Sequence, residues 1–191
     1  HSHNERESAK GLLNLLEQGQ SVAVVSDAGY PLISDPGQNI VEQVTAAGYN
    51  VVPVSGCSAS LNALVASGLK AQPFLFKGFL SSNDRECVKE LEGLKALPFT
   101  LIFYEAPHRI ERMLGHCLEV LGDRKACLAR EITKRHEEFL RGTLSEIKEA
   151  AAGLKGEMVV VIEGCAEESE PVIDMALITE QINERIQSGM S

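Results

Sequence analysis

The chain has 191 residues, of which 44% are hydrophobic and 24% are charged, and its formal net charge is −9. This length and composition are typical of a globular protein with one domain or two small ones. The acidic balance argues against generic binding to phosphate backbones, which needs clustered lysine and arginine, although a local basic patch can still bind RNA.

The cysteines and the apolar runs narrow the class of protein further. Five widely spaced cysteines, an odd number, predict reduced thiols in a cytoplasmic protein. No Cys-x-x-Cys pair or histidine-rich cluster has metal-ligand spacing, so no metal site is expected. No apolar run is long enough to span a bilayer, and the start of the chain lacks the apolar segment of a signal peptide. We therefore expect no membrane or export step.

The first third of the chain alternates helical patterns with short valine-rich runs. In order, it predicts a helix that stops at Gly19, a buried strand over residues 21–25, a helix over 36–47, a strand over 50–54 and a helix that stops at Gly68. Asp35 is expected to cap the second helix, because Pro36 suits a first helical position. The two strands are expected to lie parallel.

Gln72-Pro73 interrupts this alternation and predicts a domain boundary. The valine run at 157–163 is expected at the centre of the second sheet, because it suits burial on both faces. The charged run at 130–138 is expected to be a solvated surface. The other predicted elements are an aromatic strand beginning at Phe74, a helix from Ser82 that Pro98 terminates, a strand over 100–103, a helix over 110–121, a strand over 125–129, a helix over 145–152 and a last helix after an acidic linker at 167–171.

The predicted fold class is therefore α/β, built from two small α/β domains. The first domain is expected over residues 1–71 and the second over residues 72–166. Residues 167–191 are expected to form a linker and the start of a helical region.

Two loops of small residues follow the predicted strands of the first domain. Residues 26–37 read Ser-Asp-Ala-Gly-Tyr-Pro-Leu-Ile-Ser-Asp-Pro-Gly, and residues 55–60 read Ser-Gly-Cys-Ser-Ala-Ser. Loops at the carboxyl ends of strands face the ligand crevice in open α/β sheets, although an ordinary turn-rich loop has the same composition. Neither loop fits Gly-x-Gly-x-x-Gly, a P-loop or a hydrolase elbow. The pattern favours a nucleotide-like ligand without naming a reaction.

Several ionisable residues are candidates for chemistry, each with a structural alternative. Asp27 and Asp35 suit general bases, but Asp beside Gly or Pro is also a common turn former. His108 suits substrate contact or a hydrogen bond to Glu105. Basic residues in and after the charged run suit nucleic acid or a solvated face.

Four sequence blocks, in order, resemble the tetrapyrrole methylase superfamily and, within it, the ribosomal RNA small-subunit methyltransferase I family. They are the loop at 26–37, Phe-Tyr-Glu-Ala-Pro-His-Arg at 103–109, Ala-Arg-Glu-Ile-Thr-Lys at 129–134 and Lys-Gly-Glu-Met-Val at 155–159. The chain departs from the family pattern at Tyr30, where the family usually has Thr, and at Ser-Gly-Cys (55–57), where it usually has Pro-Gly-Pro. By this resemblance the chain looks truncated at both termini, with its first domain incomplete at the N-terminus.

The resemblance implies transfer of a methyl group from S-adenosylmethionine to the ribose 2′-hydroxyl of a cytidine in small-subunit (16S) rRNA, by a cytoplasmic homodimer. It implies a cosubstrate folded in the cleft between the two domains and no metal. The general base is left open between Asp27, Glu105 and His108. The implied cosubstrate-binding residues are Asp27, Ala28, Gly29, Ile33, Asp35, Ser55, Gly56, Ser58, Ala59, Tyr104, Glu105, Gly156, Glu157 and Met158, and the candidate RNA-binding residues are Arg109, Arg130, Lys134 and Arg135.

Two other functions remain compatible with the residues. A relative from the same superfamily would methylate a tetrapyrrole or another small acceptor. A truncated chain would instead be a folded, non-catalytic scaffold. The aromatic run at 74–79 adds apolar area for the expected homodimer interface.

Overall fold

The computed structural model describes residues 2–27 and 29–166, with side chains from residue 9 onward. Ala28 and the predicted linker and last helix at 167–191 lie outside the described residues. The elements are α1 (Ser2–Glu17), α2 (Gln38–Ala46), α3 (Ala59–Ser67), β1 (Phe74–Phe79), α4 (Asp84–Leu94), β2 (Thr100–Glu105), α5 (Ile110–Leu121), β3 (Lys125–Arg130), β4 (Glu138–Thr143), α6 (Leu144–Ala150) and β5 (Met158–Ile162).

The strands form one five-stranded sheet in the order β1-β2-β5-β3-β4. β1 lies parallel to β2, and the other neighbouring pairs are antiparallel. β5 takes the central position, and all five of its residues are buried, which confirms the prediction for this valine run. The mixed α/β fold class is confirmed as well.

Helices cover both faces of the sheet. On one face, α4, α5 and α6 pack over Leu101, Phe103, Leu128 and Val160. α5 is strongly amphipathic and turns its apolar side inward, as its spacing predicts. On the other face, α3 lies over β3 and β5.

α3 reaches the sheet through three small side chains and one leucine. Its buried residues are Ser60, Ala63, Leu64 and Ser67, whereas Leu61 and Val65 are 47% and 76% exposed. Small residues let the helix axis approach the strands closely, with Leu64 filling the remaining space between them. Gly68 ends the helix in a left-handed conformation, as expected.

The two strands predicted for the first third of the chain are wrong. Residues 21–25 and 50–54 have no regular secondary structure and form no sheet ladder among the described residues. Val25 and Val54 are each 85% exposed. A strand needs a partner that accepts and donates backbone hydrogen bonds, and no described segment forms such bonds with either run. Apolar composition alone does not supply that partner.

The predicted start of the second helix is also wrong. α2 begins at Gln38, with Gly37 at the cap position and no side-chain capping bond. Leu32 and Ser34 both have positive φ angles, so the chain turns tightly before the helix begins. Asp35 and Pro36 lie within these turns, and Asp35 is therefore not the cap.

Two further differences concern the second half of the chain. β4 was not expected; it begins at Glu138, at the end of the charged run, and its half-buried edge position explains its mixed composition. α4 begins two residues later than predicted, because the Asn83 side chain accepts the N–H groups of Arg85 and Glu86. The rest of the charged run, residues 131–137, forms a loop.

Replacing Thr143 by alanine is expected to lower the free energy of unfolding by about 1 kcal/mol. Thr143 and Glu146 form a capping box at the start of α6, in which each side chain accepts the backbone N–H of the other residue, at 3.4 and 2.8 Å. Urea titration measures the change. Thr45→Ala, at an exposed position inside α2, is the control and is expected to change stability by less than about 0.5 kcal/mol. Equal effects of the two substitutions would contradict a stabilising capping box.

Candidate functional site

One cleft of about 710 Å³ lies at one end of the strands of the sheet. This volume is within the range of small-molecule sites in proteins. β1, β2 and β3 finish at this end of the sheet, and β5 begins there because it runs antiparallel to β2 and β3. The lining residues are Gly29, Tyr30, Ile33, Ser34, Asp35, Cys57, Ser58, Ala59, Asn62, Phe79, Tyr104, Glu105, Ala106, Pro107, Glu131, Ile132, Thr133, Lys134, Gly156, Glu157, Met158 and Val159.

We call the side formed by residues 29–35 and 57–62 the upper wall. Its two loops touch through Tyr30, whose phenol oxygen accepts the backbone N–H of Gly56 at 2.7 Å. The first loop also lies against β1, because a Cβ built on Gly78 would be 3.2 Å from Ser34 Oγ. The upper wall therefore joins two segments that are far apart in the sequence.

We call the side formed by residues 131–134 and 156–159 the lower wall. Its segments are joined reciprocally: Glu131 N–H donates to the Glu157 carbonyl at 2.9 Å, and Glu157 N–H donates to Glu131 Oε1 at 2.8 Å. Lys134 Nζ lies 3.0 Å from a carboxylate oxygen of each glutamate. These contacts fix the loop that follows β3 to the start of β5.

The same contacts shift the ionisation of the lower wall. The backbone N–H of Glu157, followed by the ammonium of Lys134, holds the pKa of Glu131 below its usual range. The carboxylates of Glu157 and Glu131 raise the pKa of Lys134. Both shifts favour the charged forms of Glu131 and Lys134 at neutral pH.

Aromatic rings form part of the cleft beside the ends of β1 and β2. Tyr104 packs edge-on against Phe76 and Phe79, with ring centroids 4.9 and 5.8 Å away. Phe79 remains 49% exposed and lines the cleft. An aromatic edge of this kind suits a planar ring ligand.

Glu105 borders the cleft as the last residue of β2, but its side chain points to the opposite face of the sheet from Tyr104. Side chains alternate along a strand, so Glu105 shares the phase of Leu101 and Phe103, which pack under α4 and α5. Its charge acts on the Cys87 thiol of α4, in agreement with this placement. The carboxylate therefore lies among the helices.

The Glu105 carboxylate is fully buried, and Arg109 is its cationic neighbour. Glu105 Oε1 accepts the N–H of Ala106 at 2.8 Å and lies 3.3 Å from Arg109 Nε. Glu105 Oε2 has no hydrogen-bond partner among the described residues. Burial raises the pKa of Glu105, while the Ala106 N–H and the Arg109 cation oppose the rise.

Most of the expected cosubstrate-binding residues line this cleft. Those that do are Gly29, Ile33, Asp35, Ser58, Ala59, Tyr104, Glu105, Gly156, Glu157 and Met158. Asp27, Ser55 and Gly56 are not in its lining, and Gly56 instead donates to Tyr30. Ala28 lies outside the described residues.

The candidates for the general base other than Glu105 are Asp27 and His108. Neither is among the lining residues, and both are exposed. Ligand binding and the identity of the base stay predictions.

The loop at 131–133 was not predicted to line the cleft, although it lies in one of the four family blocks. The charged run around these residues reads as ordinary surface. Two non-glycine residues with positive φ, Glu131 and Thr133, show that the loop is held in an unusual conformation. Asn62 and Phe79 were also missed, because each belongs to an element whose pattern indicates only packing.

The four candidate RNA-binding residues differ in what they contact. Arg109 donates to two backbone carbonyls after β1, in addition to its pairing with Glu105. Arg130 donates twice to Glu138, at 3.0 and 2.8 Å. Lys134 is paired within the lower wall. Among the described residues, Arg135 alone of the four forms no ion pair, and it is exposed.

Three further features of the described residues bear on the class of site. Over residues 2–27 and 29–166, no group of three or more His, Cys, Asp or Glu side chains is arranged to hold a metal ion. All five cysteines are unpaired thiols. None of the helices in this part of the chain combines the length and apolar character of a membrane span.

Comparison with known proteins identifies the family. Residues 1–148 match the family model described as Tetrapyrrole (Corrin/Porphyrin) Methylases. The chain belongs to the tetrapyrrole methylases. Within that family it is 48% identical over 166 residues to "Ribosomal RNA small subunit methyltransferase I" of Bacillus subtilis (strain 168), covering 86% of this chain and 57% of the relative. It is 40% identical over 193 residues to the protein of that name from Streptococcus pyogenes serotype M18, covering 99% and 67%.

These relatives place the chain in the ribosomal RNA small subunit methyltransferase I family, which confirms the resemblance found in the sequence. Solved tetrapyrrole methylase structures share the fold. The methyltransferase CobJ superposes with a TM-score of 0.64 at 23% identity, covering 85% of this chain and 72% of that one. Uroporphyrin-III C-methyl transferase from Thermus thermophilus, complexed with S-adenyl homocysteine, gives 0.54 at 19% identity, covering 83% and 73%.

Proposed function

We propose that this chain carries the S-adenosylmethionine site of an enzyme that methylates the ribose 2′-hydroxyl of a cytidine in small-subunit (16S) rRNA. The main support is that segments from all four family blocks meet in one cleft at the end of the strands. The names of the relatives support rRNA as the acceptor. The chain spans 57% of the Bacillus subtilis relative, so the activity of the whole protein is part of the proposal.

The charge of the cleft suits the cosubstrate. S-adenosylmethionine carries a cationic sulfonium and an ammonium group. The lining contains the carboxylates of Asp35, Glu131 and Glu157 and one lysine, Lys134, so the balance favours a cation. The aromatic edge of Tyr104 and Phe79 suits the adenine ring. We assign the cosubstrate site to the predicted binding residues that line the cleft.

The reaction is an in-line displacement. The 2′-oxygen forms a bond to the methyl carbon as the carbon–sulfur bond breaks, and the sulfonium becomes a neutral thioether. The hydroxyl proton passes to a base or to water. Holding the oxygen against the methyl group supplies about 7–11 kcal/mol in well-oriented reactions. The main work of the cleft is therefore to fix the cosubstrate in one position.

The base stays open among the predicted candidates, and burial decides how each would act. Glu105 has a raised pKa, which suits proton transfer, but its carboxylate lies on the helix side of the sheet. Its contacts with Ala106 and Arg109 favour a structural role. Asp27 and His108 are exposed and would act only if the bound RNA brought its hydroxyl to them.

We also propose a cytoplasmic homodimer. β1 is an edge strand, and its first and last residues, Phe74 and Phe79, are exposed aromatic side chains. Pairing across this edge would bury the ring of Phe74, whereas Phe79 lines the cleft. The division into units at 1–71, 72–166 and 167–191 stays a prediction. A monomer mass in light scattering at micromolar concentration would contradict the dimer.

Incubation of the full-length protein with methyl-labelled S-adenosylmethionine and undermethylated small ribosomal subunits is expected to label the rRNA. The label should survive in an alkali-stable dinucleotide, because alkaline cleavage needs a free 2′-hydroxyl. Fully methylated subunits are the control and should take up no label. Label in a corrinoid precursor but not in rRNA would favour a small acceptor. No label together with no binding of S-adenosylhomocysteine would favour the scaffold.

A further inference from the structure

Tyr30 joins the two loops of the upper wall. Its phenol oxygen accepts the N–H of Gly56 at 2.7 Å, across 26 positions of sequence. Tyr30 is half-buried and lines the cleft, and Cys57 and Ser58 follow Gly56 into the same lining. The contact therefore lies directly behind the surface that faces a bound ligand.

The loop at 51–57 has little else to hold it. Among the described residues, its backbone forms no hydrogen bond with another backbone group. Gly56 is exposed, and a Cβ built there would meet no atom within 4 Å. A glycine in such a loop samples many conformations. The hydrogen bond to the Tyr30 hydroxyl therefore fixes the position of this loop.

The first loop is better restrained and can act as the fixed partner. Ser26 Oγ donates to the Gly29 carbonyl at 3.0 Å, and Ile33 N–H donates to the Tyr30 carbonyl at 3.4 Å. Ser34 lies against β1 beside Gly78. A hydroxyl placed by this loop therefore defines a position in space for Gly56.

The structure brings Tyr30 into contact with the 55–57 loop, whose residues are Ser, Gly and Cys. Without prolines at 55 and 57, the loop has more backbone freedom, because proline fixes φ. A threonine hydroxyl, one carbon from the backbone, would fall well short of Gly56. The phenol at position 30 supplies a restraint that the loop's own sequence lacks.

We infer that Tyr30 is a positioning residue whose hydroxyl fixes the 55–58 loop against the 29–35 loop and thereby sets the affinity of the cleft for the cosubstrate. The inference rests on the proposed function. It gives Tyr30 no contact with the reacting atoms. It predicts that loss of the hydroxyl increases the motion of the 55–58 loop and weakens binding of the cosubstrate.

The test is calorimetric titration of the 191-residue chain with S-adenosylhomocysteine. Tyr30→Phe removes only the hydroxyl and is expected to raise Kd by about three- to tenfold, the effect of one hydrogen bond. Amide hydrogen exchange at Gly56 should accelerate in the same variant, with exchange in β5 unchanged. Tyr49→Phe is the control, because Tyr49 lies after α2 and outside the cleft lining. It should change neither quantity.

A rescue separates positioning from general packing. Adding Ser55→Pro to Tyr30→Phe is expected to return Kd to within about twofold of the parent, since proline stiffens the loop through its backbone and position 55 lies outside the cleft lining. An unchanged Kd or unchanged exchange at Gly56 in Tyr30→Phe would overturn the inference while leaving the proposed function intact. So would failed rescue in the double variant, provided that it keeps the parent's Tm. If the parent chain binds no S-adenosylhomocysteine, the proposed function fails and the inference falls with it.

Discussion

Replacing Arg109 by methionine is expected to lower the free energy of unfolding by about 3 kcal/mol at neutral pH, the low end of the cost of breaking a buried ion pair. Methionine keeps much of the apolar length of the side chain but removes the cation beside Glu105, whose carboxylate is fully buried. It also removes the donors to the Leu80 and Ser81 carbonyls. Urea unfolding followed by circular dichroism measures the change.

The loss should depend on pH, with a sign opposite to that of an ordinary surface carboxylate. Burial raises the pKa of Glu105 in the folded state, so folding favours its protonated form. Its contribution is complete below the ordinary glutamate pKa, about 4.3, and is lost as pH rises through the folded-state pKa. Without Arg109, that pKa rises further. The gap between variant and parent should therefore be wider at pH 7 than at pH 4.5.

Two further variants check the cause. Arg112→Met makes the same change one turn along α5, where the ion pair with Asp84 is largely exposed. It should cost less than about 1 kcal/mol. Adding Glu105→Gln to Arg109→Met should recover part of the loss at neutral pH, because no buried charge is then left unpaired. A loss in Arg109→Met that does not vary with pH would show that the buried carboxylate is not its source.

Replacing Gly156 by alanine is expected to weaken S-adenosylhomocysteine binding by tenfold or more, because it displaces a loop that lines the cleft. A Cβ on Gly156 would lie 2.5 Å from Glu131 Cγ and 2.6 Å from its Cδ. Glu131 would have to move and give up its bond to the Glu157 N–H, which opens the lower wall. The φ angle of Gly156, 100°, adds strain of about 1–3 kcal/mol for any other residue.

Gly153→Ala is a matched control for this substitution. Gly153 also has a positive φ, 71°, but a Cβ there would meet no atom within 4 Å. It should lower Tm modestly and leave Kd unchanged. Should both variants bind with the parent's affinity, the packing of Gly156 against Glu131 does not shape the site. Titration calorimetry gives Kd, and differential scanning calorimetry gives Tm.

The second half of the fold could be predicted from sequence because its signals are local. The valine run of β5 and the apolar stripe of α5 each specify their own burial, and the structure places both as expected. The runs at 21–25 and 50–54 carry a similar signal, but a strand also needs a neighbour, and the described residues provide none. Composition records the tendency of a segment and not the presence of its partner.

The candidate site shows the same division. The glycine loops were predicted as ligand loops from their composition and their place after strands, and the block at 155–159 was assigned to the cleft by the family resemblance. The orientation of Glu105 was not predicted, because it depends on the phase of β2 relative to two helix layers. The contact of Tyr30 with Gly56 joins two loops whose meeting is set by tertiary structure. Such relations are absent from any single stretch of sequence.

The two walls of the cleft are held with unequal strength, and this bears on how a ligand would leave. The segments of the lower wall are joined by one backbone hydrogen bond, one bond from a backbone N–H to the Glu131 carboxylate, and an ammonium between two carboxylates. Among the described residues, the loop that carries Gly56 is held by one neutral hydrogen bond. The wall that yields at the lower free energy opens more often. Residence time should therefore follow the opening rate of the upper wall, so that substitutions at Tyr30 change koff more than kon.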